Sequence, residues 1–128
     1  MACVLVIEDD RELASILGFM LSNEGHDVAI ANDSIRARQL VAGVDVVLVD
    51  YHLPGTNGID LAERLRRETG RPDLPCILAT GEVSPEVISM SSHNHWWSVT
   101  KPFTASDLRA VVQRALSATT KGESNEVQ

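Results

Sequence analysis

The chain is poor in cysteine, carries no excess of positive charge and has no apolar run long enough to cross a membrane. Its 128 residues include two cysteines, Cys3 and Cys76. Each lies inside an apolar, strand-like run, so both read as free buried thiols. Two isolated cysteines cannot complete a zinc site, and a reducing compartment disfavours a disulfide. The net charge of −7 at pH 7 opposes nonspecific binding to nucleic acid or to an anionic membrane. A membrane span needs about 20 apolar residues, which no segment approaches, and residues 1–7 lack the basic start and cleavage site of a signal peptide. The expectation is a cytoplasmic protein that contacts neither a membrane nor nucleic acid directly. Internal repeats and low-complexity domains are also missing. A chain of this length makes one domain and buries roughly two thirds of its unfolded surface, and 44% hydrophobic with 23% charged residues suits a single globular core.

What is present is an alternation of strand-like and helix-like segments. Cys3-Val4-Leu5-Val6-Ile7, residues 27–31, 45–50 and 76–79, and Trp96 to Thr100 read as five strands, the apolar ones as buried on both faces. Between them, Leu13, Ile16, Leu17, Met20 and Leu21 share one face of a helix over about 10–23. A weaker helix over about 34–41 rests on Ile35, Leu40 and Val41. A third, ending near Gly70, puts Ile59, Ala62 and Leu65 inside and Arg64, Arg66 and Arg67 outside. Ser84-Pro85-Glu86 starts a fourth over 84–92, with a thin stripe of Val87, Ile88 and Met90 among poor helix formers, so it should be the least stable. Thr104 and Asp107 form a capping box for a fifth, with Leu108, Val111, Val112, Ala115 and Leu116 as its stripe. Residues 119–128 carry no stripe and are expected to be a mobile tail beyond a domain of residues 1–118. Such an alternation implies a doubly wound parallel sheet with helices on both faces. The flavodoxin-like order 2-1-3-4-5 puts the first and third strands side by side and keeps Cys3 away from Cys76.

Functional groups collect where strands end. The first strand runs into Glu8-Asp9-Asp10, the third ends at Asp50, the fourth at Thr80 and the fifth at Lys101-Pro102. In open α/β sheets this carboxyl edge is where ligands bind. Acids gathered there stay ionised at neutral pH only with something positive among them, a hard divalent cation or a lysine. Asp10 reads as a helix cap, His26 as a loop residue, and His93 and His95 as too few for a closed metal site.

In this ordered set of Glu8-Asp9, Asp50, Thr80 and Lys101-Pro102, residues 2 to about 117 resemble the receiver domain of two-component response regulators. The resemblance implies that Asp50 accepts a phosphoryl group from a phosphohistidine on a histidine kinase or histidine phosphotransfer protein. It implies Mg²⁺ held by Asp9 and Asp50, with Glu8 acting through a water and the main-chain carbonyl of His52 adding a ligand. Thr80 and Lys101 would each bind a phosphoryl oxygen, and the Lys101-Pro102 peptide would be cis. The domain would assist its own phosphorylation and dephosphorylation without being an enzyme in the usual sense. The Asp-Tyr-His-Leu-Pro wording is similar to receivers of hybrid histidine kinases as well as free ones. The tail has no room for an output domain, so the output is expected to be an unknown downstream protein or a further part of a longer chain, controlled through the surface around residues 81–103. Receivers usually carry Tyr or Phe three residues before the lysine; here that position is Ser98. Trp97 should face the other side, and Trp96 lies two residues away. A phosphorylation-independent interaction module with the same fold is the alternative. A phosphohydrolase would need a second catalytic carboxylate, which is not found.

Overall fold

The computed structural model describes residues 2–81, 84–91 and 93–125; for Ser91 and residues 119–125 only the backbone is described. Five strands form one parallel sheet: β1 (Cys3–Ile7), β2 (Asp27–Ala31), β3 (Val46–Asp50), β6 (Cys76–Thr80) and β7 (Trp96–Thr100), in the order β2-β1-β3-β6-β7. Counting these five strands alone, that is the expected order 2-1-3-4-5. Two further strands, β4 (His52–Leu53) and β5 (Thr56–Asn57), make a small antiparallel ribbon not foreseen from the sequence. Pro54 and Gly55 turn it, and Gly55 sits at φ 77°, as the third residue of a type II turn demands.

The helices are α1 (Arg11–Asn23), α2 (Ser34–Leu40), α3 (Gly58–Thr69), α4 (Pro85–Ser91) and α5 (Ala105–Asn125). Strand alternation divides the core in two. Leu5, Ile7, Val47, Val49, Cys76, Leu78 and Trp96 point toward α2, α3 and α4, where they meet Ala37, Ile59, Leu61, Ala62, Leu65 and Val87. Val4, Val6, Val46, Leu48, Ile77, Ala79 and Val99 point the other way, against Leu17 and Leu21 of α1 and Leu108, Val111, Val112 and Ala115 of α5. Successive strand residues face opposite sides, so an unbroken apolar run serves both layers at once. Cys3 and Cys76 are free thiols, and burial pushes the Cys76 thiol up to about 12.

Several helix ends match their sequence signals. Asp10 caps α1, accepting from the N–H groups of Glu12 and Leu13 at 3.0 and 3.1 Å. Ser84 Oγ accepts from Val87 N at 3.2 Å. Thr104 and Asp107 satisfy each other's main-chain N–H groups at 3.0 and 2.9 Å.

The faces of three helices differ from the periodicity. On α1 the buried residues are Ala14, Leu17, Gly18 and Leu21, and Ile16 is 51% exposed. Small residues let the helix approach the sheet: a Cβ on Gly18 would stand 3.1 Å from Ile30 Cδ1. The bulkier Leu13, Ile16 and Met20 are displaced to a groove shared with Pro102 and Phe103. On α2, Ala37 is buried and Ile35 is 67% exposed. On α3, Arg66 is not outside but 8% exposed. Its guanidinium donates to Leu74 O at 3.1 and 2.8 Å and to His95 O at 2.8 Å, and lies 5.1 Å from the centre of the Trp96 ring. Two carbonyls and an aromatic face replace the water a buried arginine would lose.

The backbone of α5 stays helical through Asn125, beyond the end of its apolar stripe at Leu116. Helix propagation adds a hydrogen bond per residue once the packed turns of Leu108 to Ala115 exist, so it can outrun the apolar stripe. Residues 82, 83 and 92, within the stretch expected to change on phosphorylation, and 126–128 at the end of the expected tail, lie outside the described residues. No described helix is long and apolar enough to cross a membrane.

Candidate functional site

Among the described residues, four polar or charged side chains are buried: Glu8, Asp50, Thr80 and Arg66. Three of these stand together at the carboxyl ends of β1, β3 and β6, an arrangement that costs free energy unless their charges and dipoles are used. Each is placed by the sheet. Glu8 follows β1, held by its N–H to Ala31 O at 3.0 Å and by Asn32 Nδ2 on its own carbonyl at 2.9 Å. Asp50 ends β3 opposite Ala79 of β6, and Thr80 is the next residue along. Lys101 follows β7, its N–H donating to Thr80 O at 2.8 Å, and the Lys101-Pro102 peptide is cis.

The Lys101 ammonium donates to Asp50 Oδ1 at 3.0 Å and stands 3.5 Å from Glu8 Oε1. Glu8, Asp9 and Asp50 each offer a carboxylate oxygen, and the three oxygens lie within 4.8 Å of one another. Burial, reinforced by the Asp50 charge, raises the Glu8 pKa, although the Asp10 N–H on Glu8 Oε2 at 3.2 Å and the Lys101 charge oppose the rise. Burial pulls the Lys101 pKa down, but the adjoining Asp50 and Glu8 carboxylates outweigh it and leave the ammonium above its usual value. One ammonium thus serves a cluster of three acids, so the cluster has room for a further positive charge.

The donor set fits Mg²⁺. All three candidate ligands are carboxylate oxygens, and Asp9 is exposed while Glu8 and Asp50 are buried. The site therefore opens to water on one side, as suits an ion that keeps several waters and takes few protein ligands. His52 opens β4 two residues past Asp50 with an exposed side chain. Among the described residues the histidines join no metal-binding group. His95 Nε2 lies 3.6 Å from Asp73.

The structure adds two features that the sequence reading passed over. Gly58, the first residue of α3, packs against the carbonyl of Asp50: a Cβ there would lie 2.4 Å from that oxygen. Its place in the Pro-Gly-Thr-Asn-Gly loop was a visible signal, but not its target. The other is a hydrogen bond from the Tyr51 hydroxyl to Glu86 Oε1 of α4, across 35 residues, for which no local pattern exists. At the usual aromatic position Ser98 is half-exposed on β7, with Trp97 packed in the opposite layer and Trp96 under Arg66.

A doubly wound sheet with acids, a hydroxyl and an ammonium converging at its switch point defines the class of protein: a flavodoxin-like α/β domain whose carboxyl edge gathers acids that could hold a metal ion. The family model of the response regulator receiver domain matches residues 4–113, and the chain belongs to that family, whose members are phosphoryl-accepting signalling domains. The sensory transduction protein RegX3 of Mycobacterium tuberculosis is 32% identical over 119 residues, covering 91% of this chain and 51% of that protein. The DNA-binding response regulator MtrA of Mycobacterium leprae is 35% identical over 115 residues, covering 88% of this chain and 50% of that one. The chain thus spans about half the length of these relatives. Among solved structures, the Vibrio cholerae chemotaxis protein CheY4 superposes with a TM-score of 0.81 at 27% identity, covering 91% of this chain and 99% of that one. Brucella abortus NtrX superposes with a TM-score of 0.84 at 26% identity, covering 99% of this chain and 29% of that one.

Proposed function

We propose that Asp50 is the phosphoacceptor of an aspartyl-phosphate switch, charged by a phosphohistidine on a histidine kinase or histidine phosphotransfer protein. The observation that carries this reading is the Asp50 carboxylate, buried yet held 3.0 Å from the Lys101 ammonium, with two more acids beside it. An Asp50 oxygen attacks phosphorus, the bond from phosphorus to the donor imidazole breaks, and the imidazole nitrogen keeps the electron pair. A carboxylate is a weak nucleophile, but phosphoryl transfer depends mainly on positioning and on neutralising charge.

Asp9 and Asp50 would bind Mg²⁺ directly, Glu8 through a water, and the His52 main-chain carbonyl would complete the protein's share. The ion supplies charge neutralisation at the phosphoryl oxygens. Lys101 moves from pairing with Asp50 to pairing with one phosphoryl oxygen, and the Thr80 hydroxyl donates to another. Lys101 and Glu8 remain close, so the ammonium is never stranded. The unit that does this is residues 1–118; the family match ends at 113 and Ala115 is the last buried side chain among the described residues. Its output is a change in the surface around residues 81–103, read by a downstream protein or by an attached domain.

Intact mass after incubation with acetyl phosphate tests the reading. One Mg²⁺-dependent phosphoryl adduct, sensitive to hydroxylamine and lost in Asp50→Asn, is expected. Labelling that survives in Asp50→Asn would overturn it.

A further inference from the structure

The Tyr51 hydroxyl ties the residue after Asp50 to the first turn of α4 through Glu86. The base of that tie is rigid. Tyr51 N donates to Ala79 O at 2.9 Å, Tyr51 O accepts from Gly58 N at 2.8 Å, and the ring packs against the core layer that includes Val87 of α4. The far end is held less firmly: Glu86 is exposed, on a helix of seven residues that buries only Val87 among its described side chains. Tyr51, Thr80, Ser84, Glu86 and Val87 line one cleft, so the bond lies at the mouth of a space whose wall is a residue of the phosphoryl site. Position 98 carries no ring, and the Trp96 ring is engaged by Arg66.

We propose that Tyr51 and Glu86 are the positioning pair that couples Asp50 to α4, their hydrogen bond holding the helix in its resting place. The inference rests on the reading of Asp50 as phosphoacceptor. A phosphoryl group carries about −1.5 to −2 charge where the Asp50 carboxylate alone carried −1, next to a cleft that Glu86 shares, and the exposed carboxylate is the group there free to withdraw. A contact made only in the resting state opposes the charged state by its own free energy, and linkage makes the effect reciprocal. Removing the hydroxyl must then release α4 and tighten binding of a phosphoryl mimic.

The test is Tyr51→Phe, which keeps the ring, read by fluoroberyllate affinity in the presence of Mg²⁺ and by amide exchange of residues 84–91 without ligand. Affinity is expected to tighten about three- to tenfold, the ordinary net range of one hydrogen bond, here at an exposed acceptor, and exchange to quicken. Glu86→Ala should do the same, and the double variant no more than either single one. Unchanged or weakened affinity in Tyr51→Phe would overturn the proposal, as would additive effects of the two substitutions. Failure of the unsubstituted protein to bind fluoroberyllate would overturn instead the phosphoacceptor reading beneath it.

Discussion

Gly58→Ala puts one methyl group against the working end of the sheet. The new Cβ would stand 2.4 Å from the Asp50 carbonyl oxygen and 3.0 Å from Leu78 Cδ1. The leucine methyl can turn aside, but the carbonyl belongs to the strand that carries Asp50, the proposed phosphoacceptor. To reach 3.4 Å, an ordinary contact, the two groups must separate by about 1 Å, since contacts this short lie on the repulsive wall. Two routes exist. If the start of α3 moves, the bond from Gly58 N to Tyr51 O at 2.8 Å is lost; if the end of β3 moves, Asp50 shifts relative to Lys101 and Glu8. Overpacking of this kind costs about 1–3 kcal/mol, which urea denaturation will register. A reacting group misplaced by about 1 Å loses about a hundredfold in rate, so phosphorylation by acetyl phosphate, followed by intact mass, should slow by one to two orders of magnitude on that scale. Near-native stability together with an unchanged rate would refute the claim that this glycine sets the position of Asp50.

Asp9→Ala should lose Mg²⁺ affinity and labelling together while raising the melting temperature of the metal-free protein, because it relieves repulsion among acids within 4.8 Å of one another; calorimetry and Mg²⁺ titration check both halves. Arg66→Met should cost about 2–4 kcal/mol in urea denaturation, since Leu74 O loses both guanidinium donors in a buried setting, and Arg66→Lys should recover little of it because an ammonium lacks the planar fork. The Cys76 thiol, ordinarily 9.0, is pushed up to about 12 by burial. Its contribution to stability is therefore fully present below pH 9 and lost as pH rises toward 12, by at most about 4 kcal/mol. Cys76→Ala should flatten that part of the stability profile and should remove the thiol that resists alkylation at pH 8 until the protein unfolds.

The strands and the chemical character of the site were legible because both depend on short stretches of chain. Val4 to Ile7, Val46 to Val49 and Cys76 to Ala79 are apolar without a break, which only a strand covered on both faces tolerates. Each run stops at the residue that matters: Glu8, Asp50, Thr80. The caps at Asp10, Ser84 and Thr104 were equally local, since a side chain and the N–H groups it satisfies lie within three residues. The rotation of the helices was not local. Periodicity weighs a residue by its hydrophobicity, but the distance between helix and sheet is set by the smallest residues at the contact, so Ala14, Gly18 and Ala37 went inward while Ile16 and Ile35 were left in water.

By itself, then, the sequence determined which segments make the five-stranded sheet, where they end and which groups stand on those ends. Backbone alternation and strand length follow from the residues in each segment. Only the tertiary structure decided which of those groups touch and which distant residues hold them. Arg66 was read as a surface charge because its partners, the carbonyls of Leu74 and His95, are main-chain atoms that carry no mark in the sequence. The closeness of Gly58 to the Asp50 carbonyl, and of the Tyr51 hydroxyl to Glu86, depends on how α3 and α4 settle on the sheet. That docking is set by packing over the whole layer at once, and no window of neighbouring residues contains it.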